Sequence, residues 1–344
     1  MVVPPLYHCF GMVIGNLVAT SHGSAIILSG PGLDPRAALR AVSQEKATSL
    51  YGVPTMFIAE LELPDFGDYD LSSPCSGVMA GSPCPMEVMR KVIDKMHMSE
   101  VAICYGMTET SPVSFQTRAD DSLDRCVETV GRVHPPVKVR TVDPSTGETV
   151  PRGTAGEFHP RGYSVVKGYW GQEEKTRETV DSDGWLHTGD IAVMDQDGYA
   201  QITGRIKEMV IRGGENIYPR EVEEFLYTHP DIVDAQVIGV PSKKYGEELM
   251  VWIRARQGAA PITTESIAQF SQGKISHHKI PRYVHVVEEL PMTVTGKVRK
   301  MEMREEALKL LDLERRTHRP CHVYVNECHG ITKYLRTRRE GRRQ

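Results

Sequence analysis

GRIKEMVIRGGENIYPREVE, residues 204–223, is the stretch on which the architecture turns. Pro219 suits the first turn of a helix, where its missing N–H leaves nothing unpaired, and Val222, Phe225 and Leu226 then share one face. A boundary therefore falls at residues 204–208. Beyond it, strand-like runs at 235–240, 249–253 and 283–287, with a helical stretch at 265–270, make a compact α+β pattern. Before it, apolar runs at 24–28 and 101–105 read as strands among amphipathic helices. In one of these helices, over 87–98, Met89, Val92, Ile93 and Met96 keep i, i+3, i+4, i+7 spacing. Residues 143–156, rich in Gly, Pro, Ser and Thr, read as turns linking short strands. The expected fold class is α/β: a large multi-layered α/β domain at 1–204, a small α+β domain at 205–313, and a tail at 314–344.

At 344 residues the chain can bury two cores. Charged residues at 25% and hydrophobic residues at 40% are ordinary for a globular protein, and no apolar run is long enough to cross a bilayer. Seven cysteines without framework spacing favour a reducing compartment. The net charge of −4 hides a split: residues 314–344 carry nine Lys or Arg against three Asp or Glu, which leaves −10 on the rest. That tail, with Cys321, His322, Cys328 and His329, reads as a disordered extension rather than a zinc or nucleic-acid site, and no nucleic-acid partner is expected.

Five short stretches carry chemistry: MAGSPCP (79–85), YGMTETSP (105–112), GWLHTGD (184–190), the opening stretch, and TVTGKVRK (293–300). A strand ending at Tyr105-Gly106 can set an aromatic ring against a base. Thr108 then offers a hydroxyl to phosphate, and Glu109 offers hard oxygen to Mg²⁺. Asp190 follows Thr188-Gly189, where a ligand can approach closely, and its carboxylate can accept two ribose hydroxyls. Arg205 adds donors. Each has a plain alternative taken alone: a capped turn for Thr108, a turn former for Asp190, a surface cation for Lys207 or Lys297.

In this order the five stretches resemble the adenylate-forming superfamily of acyl-CoA synthetases, coumarate-type ligases, luciferases and peptide-synthetase adenylation domains. PLYHCFG, YGVPTMF, GGENIYP and KISHHKIPRY are most similar to its mitochondrial medium-chain acyl-CoA ligases, from about Pro4 to about Leu313. The resemblance implies an ATP-dependent ligase in which fatty acid and ATP give acyl-adenylate and pyrophosphate, and CoA then gives acyl-CoA and AMP. It places Thr108, Glu109 and Lys297 as catalytic residues, with Glu109 on Mg²⁺ and Lys297 bridging carboxylate, ribose and phosphate oxygens. Gly81, Ser82, Tyr105, Gly106, Asp190 and Arg205 would hold the nucleotide. Lys207 would be the hinge of a mobile small domain, and Gly213 and Gly214 would line a pantetheine tunnel after rotation. His8 and an aliphatic lining around Val78, Met79 and Ala80 would face the acyl chain. The location it implies is the mitochondrial matrix, though the N-terminus shows no transit-peptide pattern; otherwise the chain is expected to be cytoplasmic.

The superfamily also carries a Gly/Ser/Thr-rich loop ending in Pro-Lys ahead of the PLYHCFG region. Ser29-Gly30-Pro31-Gly32 has no following lysine and reads as a turn. On that ground the large domain is expected to be incomplete at its N-terminal side. The rivals to a working fatty acid ligase are then a truncated, catalytically silent fragment serving as a binding or interaction module and, within the enzyme class, a coumarate-type CoA ligase.

Overall fold

In a computed structural model the protein is described over residues 1–30, 32–82, 84–293 and 296–311. The tail and the end of the 205–313 assignment, Leu313, lie outside the described residues. Three sheets organise the rest. The first runs β1 (Ser49–Gly52), β2 (Ser76–Ala80), β3 (Glu100–Gly106), β4 (Val113–Gln116), β5 (Arg132–Val133) in that spatial order. Its first three strands are parallel and its last two antiparallel. The second is an antiparallel meander of β6 (Lys138–Val142), β7 (Gly156–Arg161), β8 (Asp190–Met194) and β9 (Ala200–Arg205). The third orders β10 (Val210–Arg212), β11 (Glu215–Ile217), β12 (Ile232–Ser242), β13 (Gly246–Ala255) and β14 (Tyr283–Val286) as β11-β10-β13-β12, with β14 also on β13. The mixed α/β class with several sheets is as the sequence implied.

The helices begin where the chain supplies starts. A π-helical segment, Phe10–Leu17, leads into α1 (Val18–Ser21). Asp34 caps α2 (Pro35–Glu45) by accepting from the amides of Arg36 and Ala37, and Pro35 sits in the first turn. Next come α3 (Pro54–Leu61), α4 (Met86–Met96), α5 (Leu123–Glu128) and α6 (Glu173–Thr179). Pro219 opens α7 (Pro219–Tyr227), and Thr263 and Ser266 form a reciprocal cap on α8 (Thr264–Ser271). The last helix is α9 (Lys300–Leu310).

The main core joins Leu39 and Val42 of α2, Phe57 of α3 and Met89, Val92 and Met96 of α4 to the first sheet. Phe115 and Phe158 meet edge-to-face at 5.2 Å and tie the first sheet to the second. The third sheet has its own core, Val222 and Leu226 of α7 against Val237, Val251 and Ile253. One expected strand is absent. Residues 24–28 pair with no ladder; the Ile27 carbonyl accepts the Val2 amide at 3.1 Å, and the Ser24 amide turns back to the Ala19 carbonyl at 2.9 Å. An apolar run becomes a strand only where a neighbour takes up its backbone groups.

Gly106 is where this fold tolerates no side chain. It ends β3 at a register shift against β4, and a Cβ there would lie 1.8 Å from the Pro112 carbonyl oxygen. The obstacle is backbone, so it cannot swing away. Gly106→Ala is expected to cost about 2 kcal/mol of stability; a thermal melt indistinguishable from the parent's would refute the packing argument.

Candidate active site

A cavity of about 420 Å³ opens where the three sheets meet. The C-terminal end of β3 brings Tyr105 and Gly106 to its wall, and the turn after it brings Thr108 and Glu109. The turn after β2 supplies Gly81, at φ +94°, and Ser82. Asp190 opens β8 and Arg205 closes β9, directly paired across the ladder. Lys297 arrives from the far side on a loop beyond β14. Of the residues singled out from the sequence, Gly81, Ser82, Tyr105, Gly106, Thr108, Glu109, Asp190, Arg205 and Lys297 therefore share one cavity.

Asp190 is its electrostatic centre. It is 2% exposed, and Oδ2 accepts the Tyr105 hydroxyl at 2.7 Å. Oδ1 lies 2.8 Å from Arg205 Nε, yet at an angle that leaves it without a hydrogen bond. Oδ1 is thus ion-paired with Arg205 but keeps acceptor capacity for a ligand hydroxyl. Burial raises the Asp190 pKa, while the Arg205 charge and the Tyr105 hydrogen bond pull it back down. The Tyr105 ring is already committed: it packs edge-on to Phe158 at 5.4 Å, and burial first, then Asp190, pushes its hydroxyl pKa well up.

Glu109 is oriented by Tyr169, whose hydroxyl donates to Oε1 at 2.7 Å; Oε2 has no hydrogen-bond partner among the described residues. One held and one open carboxylate oxygen fits a hard cation such as Mg²⁺. Thr108 Oγ1 stands 3.6 Å from Cys9 Sγ, beside His8. The Lys297 loop is docked rather than free: Thr55 Oγ1 donates to the Gly296 carbonyl at 2.8 Å, and the Lys297 amide donates to Thr293 Oγ1 at 3.0 Å. Burial lowers the Lys297 pKa, Arg205 lowers it further, and Asp190 and Glu109 oppose them.

Phe10, Ile14, Ile58, Ile103, Val113 and Ile202 give the wall an apolar stretch, while Glu208, Arg220, Glu223, Glu224 and Lys300 line it elsewhere with charge. The expected lining needs correcting here. Ala80 and His8 reach the cavity, but Met79 is fully buried in the main core and Val78 packs among Phe10, Val53 and Met56. Lys207, in the short turn Ile206–Glu208, and the Gly213-Gly214 turn, at φ +61° and +91°, stand outside the wall.

The sequence reading missed Tyr169 and Thr55, which position others, and a partly buried charged trio on the cavity wall. Lys300 pairs with Glu223 at 2.8 Å and with Glu208 at 3.2 Å. Burial opposes the Lys300 charge, and the two carboxylates outweigh it and raise its pKa. Only the spacing of Lys297 and Lys300 pointed that way, and a solvated face accounts for it equally.

Residues 1–170 match the AMP-binding enzyme family, and residues 221–297 match the AMP-binding enzyme C-terminal domain. The chain is 52% identical over 314 residues to YngI of Bacillus subtilis (strain 168), covering 91% of this chain and 57% of that protein. It is 50% identical over 309 residues to the medium-chain acyl-CoA ligase ACSF2, mitochondrial, of Danio rerio, covering 90% and 51%. The chain thus spans about half the length of the curated relatives it matches. Among solved structures, the anthranilate CoA ligase AuaEII with anthranoyl-AMP superposes with a TM-score of 0.81 at 30% identity, covering 90% of this chain and 60% of that one. ATP-bound MatB from Rhodopseudomonas palustris gives 0.79 at 31%, with the same coverage. By sequence and by fold, the chain belongs to the AMP-binding family of adenylate-forming enzymes.

Proposed function

We propose that this site serves an ATP-dependent fatty acid–CoA ligase acting on medium-chain acids. The observation that carries the reading is the convergence of Asp190, Thr108, Glu109 and Lys297 on one cavity that also has an apolar stretch of wall at Phe10, Ile14, Ile58 and Ile103. In the first half-reaction a carboxylate oxygen attacks the α-phosphorus of ATP, the bond to the bridging oxygen breaks, and pyrophosphate leaves. Asp190 accepts the ribose hydroxyls, Arg205 adds donors, and Thr108 donates to phosphate. Lys297 places a cation between the acyl carboxylate and the α-phosphate, where negative charge crowds. Mg²⁺, held by the open oxygen of Glu109, would neutralise phosphate charge. In the second, the CoA sulfur attacks the acyl carbon and AMP departs.

Residues 1–204 and 205–313 would move as two bodies about Lys207. Rotation would withdraw Lys297 and bring Gly213 and Gly214 to the cavity mouth for the pantetheine arm. The exposed position of that glycine turn, outside the present wall, supports this division. The relatives named mitochondrial support a matrix location.

The test is turnover by the chain with MgATP, CoA and either octanoate or coumarate. AMP release that needs all three components and favours octanoate is the expected result. Preference for coumarate would make it a coumarate-type ligase. Tight binding of octanoyl-sulfamoyl-adenosine without turnover would leave a binding module in place of an enzyme.

A further inference from the structure

Beside the Thr188–Asp190 turn, among residues that do not line the cavity, Glu157, His159 and His187 gather their side chains. Glu157 and His159 sit two residues apart on β7 and so share a face. His187 comes in on the segment that leads to β8. The two imidazole rings lie 4.2 Å apart, centroid to centroid. One ligand atom from each of the three residues falls within 4.8 Å of the others.

The decisive feature is His159. It is 2% exposed, and neither of its ring nitrogens makes a hydrogen bond. Its Nε2 is 3.1 Å from Glu157 Oε2 but off the line that bond needs. Buried polar atoms nearly always have partners, and an imidazole with two orphaned nitrogens asks for something neither strand supplies. Glu157 is itself fixed, since Oε1 accepts the Gly189 amide at 2.9 Å. His187, with 41% of its side chain exposed, gives an entry path and keeps one side open to water. Nearby, Arg140 is 3.5 Å from Asp181 and stacks on Trp185, so its charge is already engaged.

We propose that Glu157, His159 and His187 form a binding site for a divalent transition ion of the zinc class. Two neutral imidazole nitrogens and one carboxylate oxygen suit such an ion and not the all-oxygen preference of Mg²⁺ or Ca²⁺. Tetrahedral coordination at about 2.0–2.2 Å needs the three donors closer together than they stand, so binding requires the exposed His187 to swing toward the other two. Water takes the fourth position.

The test is titration of the chelator-treated full chain with Co²⁺, displaced by Zn²⁺. One equivalent is expected, with a tetrahedral absorption band free of sulfur-to-metal charge transfer, which separates this site from the cysteines. His187→Asn is expected to weaken Zn²⁺ binding by about tenfold or more while leaving the metal-free melt unchanged, because the ring is half exposed. His159→Gln, which keeps a polar side chain in the buried position, gives the second variant and the same loss. Absence of saturable binding, a sulfur-type spectrum, or unchanged affinity in His187→Asn would each overturn the assignment.

Discussion

Lys297→Ala is expected to slow acyl-adenylate formation by about 100- to 1000-fold, the usual loss when one preorganised group facing transition-state charge is removed. Pyrophosphate release with octanoate and MgATP measures it. Adenosine affinity should change by less than about threefold, because the ribose grip belongs to Asp190 and Arg205. The geometry favours this split. The loop is already fixed through Thr55 and Thr293, so its ordering is complete before substrate arrives, and the substitution removes charge without freeing the loop. The pH dependence has a definite sign. The protonated amine is the working form, and burial together with Arg205 holds its pKa below the usual 10.5. Adenylate formation should therefore fall as pH rises through that lowered value, earlier than an exposed lysine would allow. Adenosine affinity dropping in step with the rate would show that Lys297 supports the ribose pocket instead.

Much of the scaffold was legible because its signals are local. Met89, Val92 and Met96 announce α4 by spacing alone, and all three are buried. Pro219 marks the start of α7 to the residue. The run at 101–105 reads as a strand because β3 lies between two neighbours that take up its backbone groups. The run at 24–28 looks alike and fails, since the missing partner is not written in its own residues.

Site details resisted for the same reason. The Tyr105 hydroxyl reaches Asp190 across 85 positions of chain, and Thr55 reaches Gly296 across 241. No period or motif encodes such pairings. Glu223 looks like a solvated helix residue, yet it is 6% exposed, accepting the Val237 amide and pairing with Lys300. Val78 and Met79 err in the opposite direction. Strand alternation turns Met79 away from Ala80, a true wall residue, into the main core, whereas Val78 shares the face of Ala80 but is covered there by Phe10, Val53 and Met56. The order of the motifs was enough to suggest a nucleotide site, whereas which side chain faces it depends on contacts formed only after folding.

Asp190→Ala is expected to weaken AMP binding by about 3 kcal/mol, roughly 150-fold, since two ribose hydroxyls would lose a charged acceptor worth about 1.5 kcal/mol each. Calorimetry with AMP measures it. The cost should fall on binding rather than on folding. Removing one partner of a buried ion pair is destabilising chiefly when the other charge is left buried, but 58% of the Arg205 side chain is exposed and water can serve it. The Tyr105 hydroxyl does lose its acceptor, a lesser penalty of about 1 kcal/mol. Asp190→Asn separates charge from shape: it retains one acceptor oxygen and should give roughly half the loss. Burial raises the folded pKa of this carboxylate above 3.8, so the grip on ribose should weaken as pH falls through that raised value and be complete above it. Unchanged AMP affinity in a folded Asp190→Ala protein would remove Asp190 from the nucleotide site. The raised pKa and the Tyr105 bond would then belong to a purely structural carboxylate joining the first two sheets.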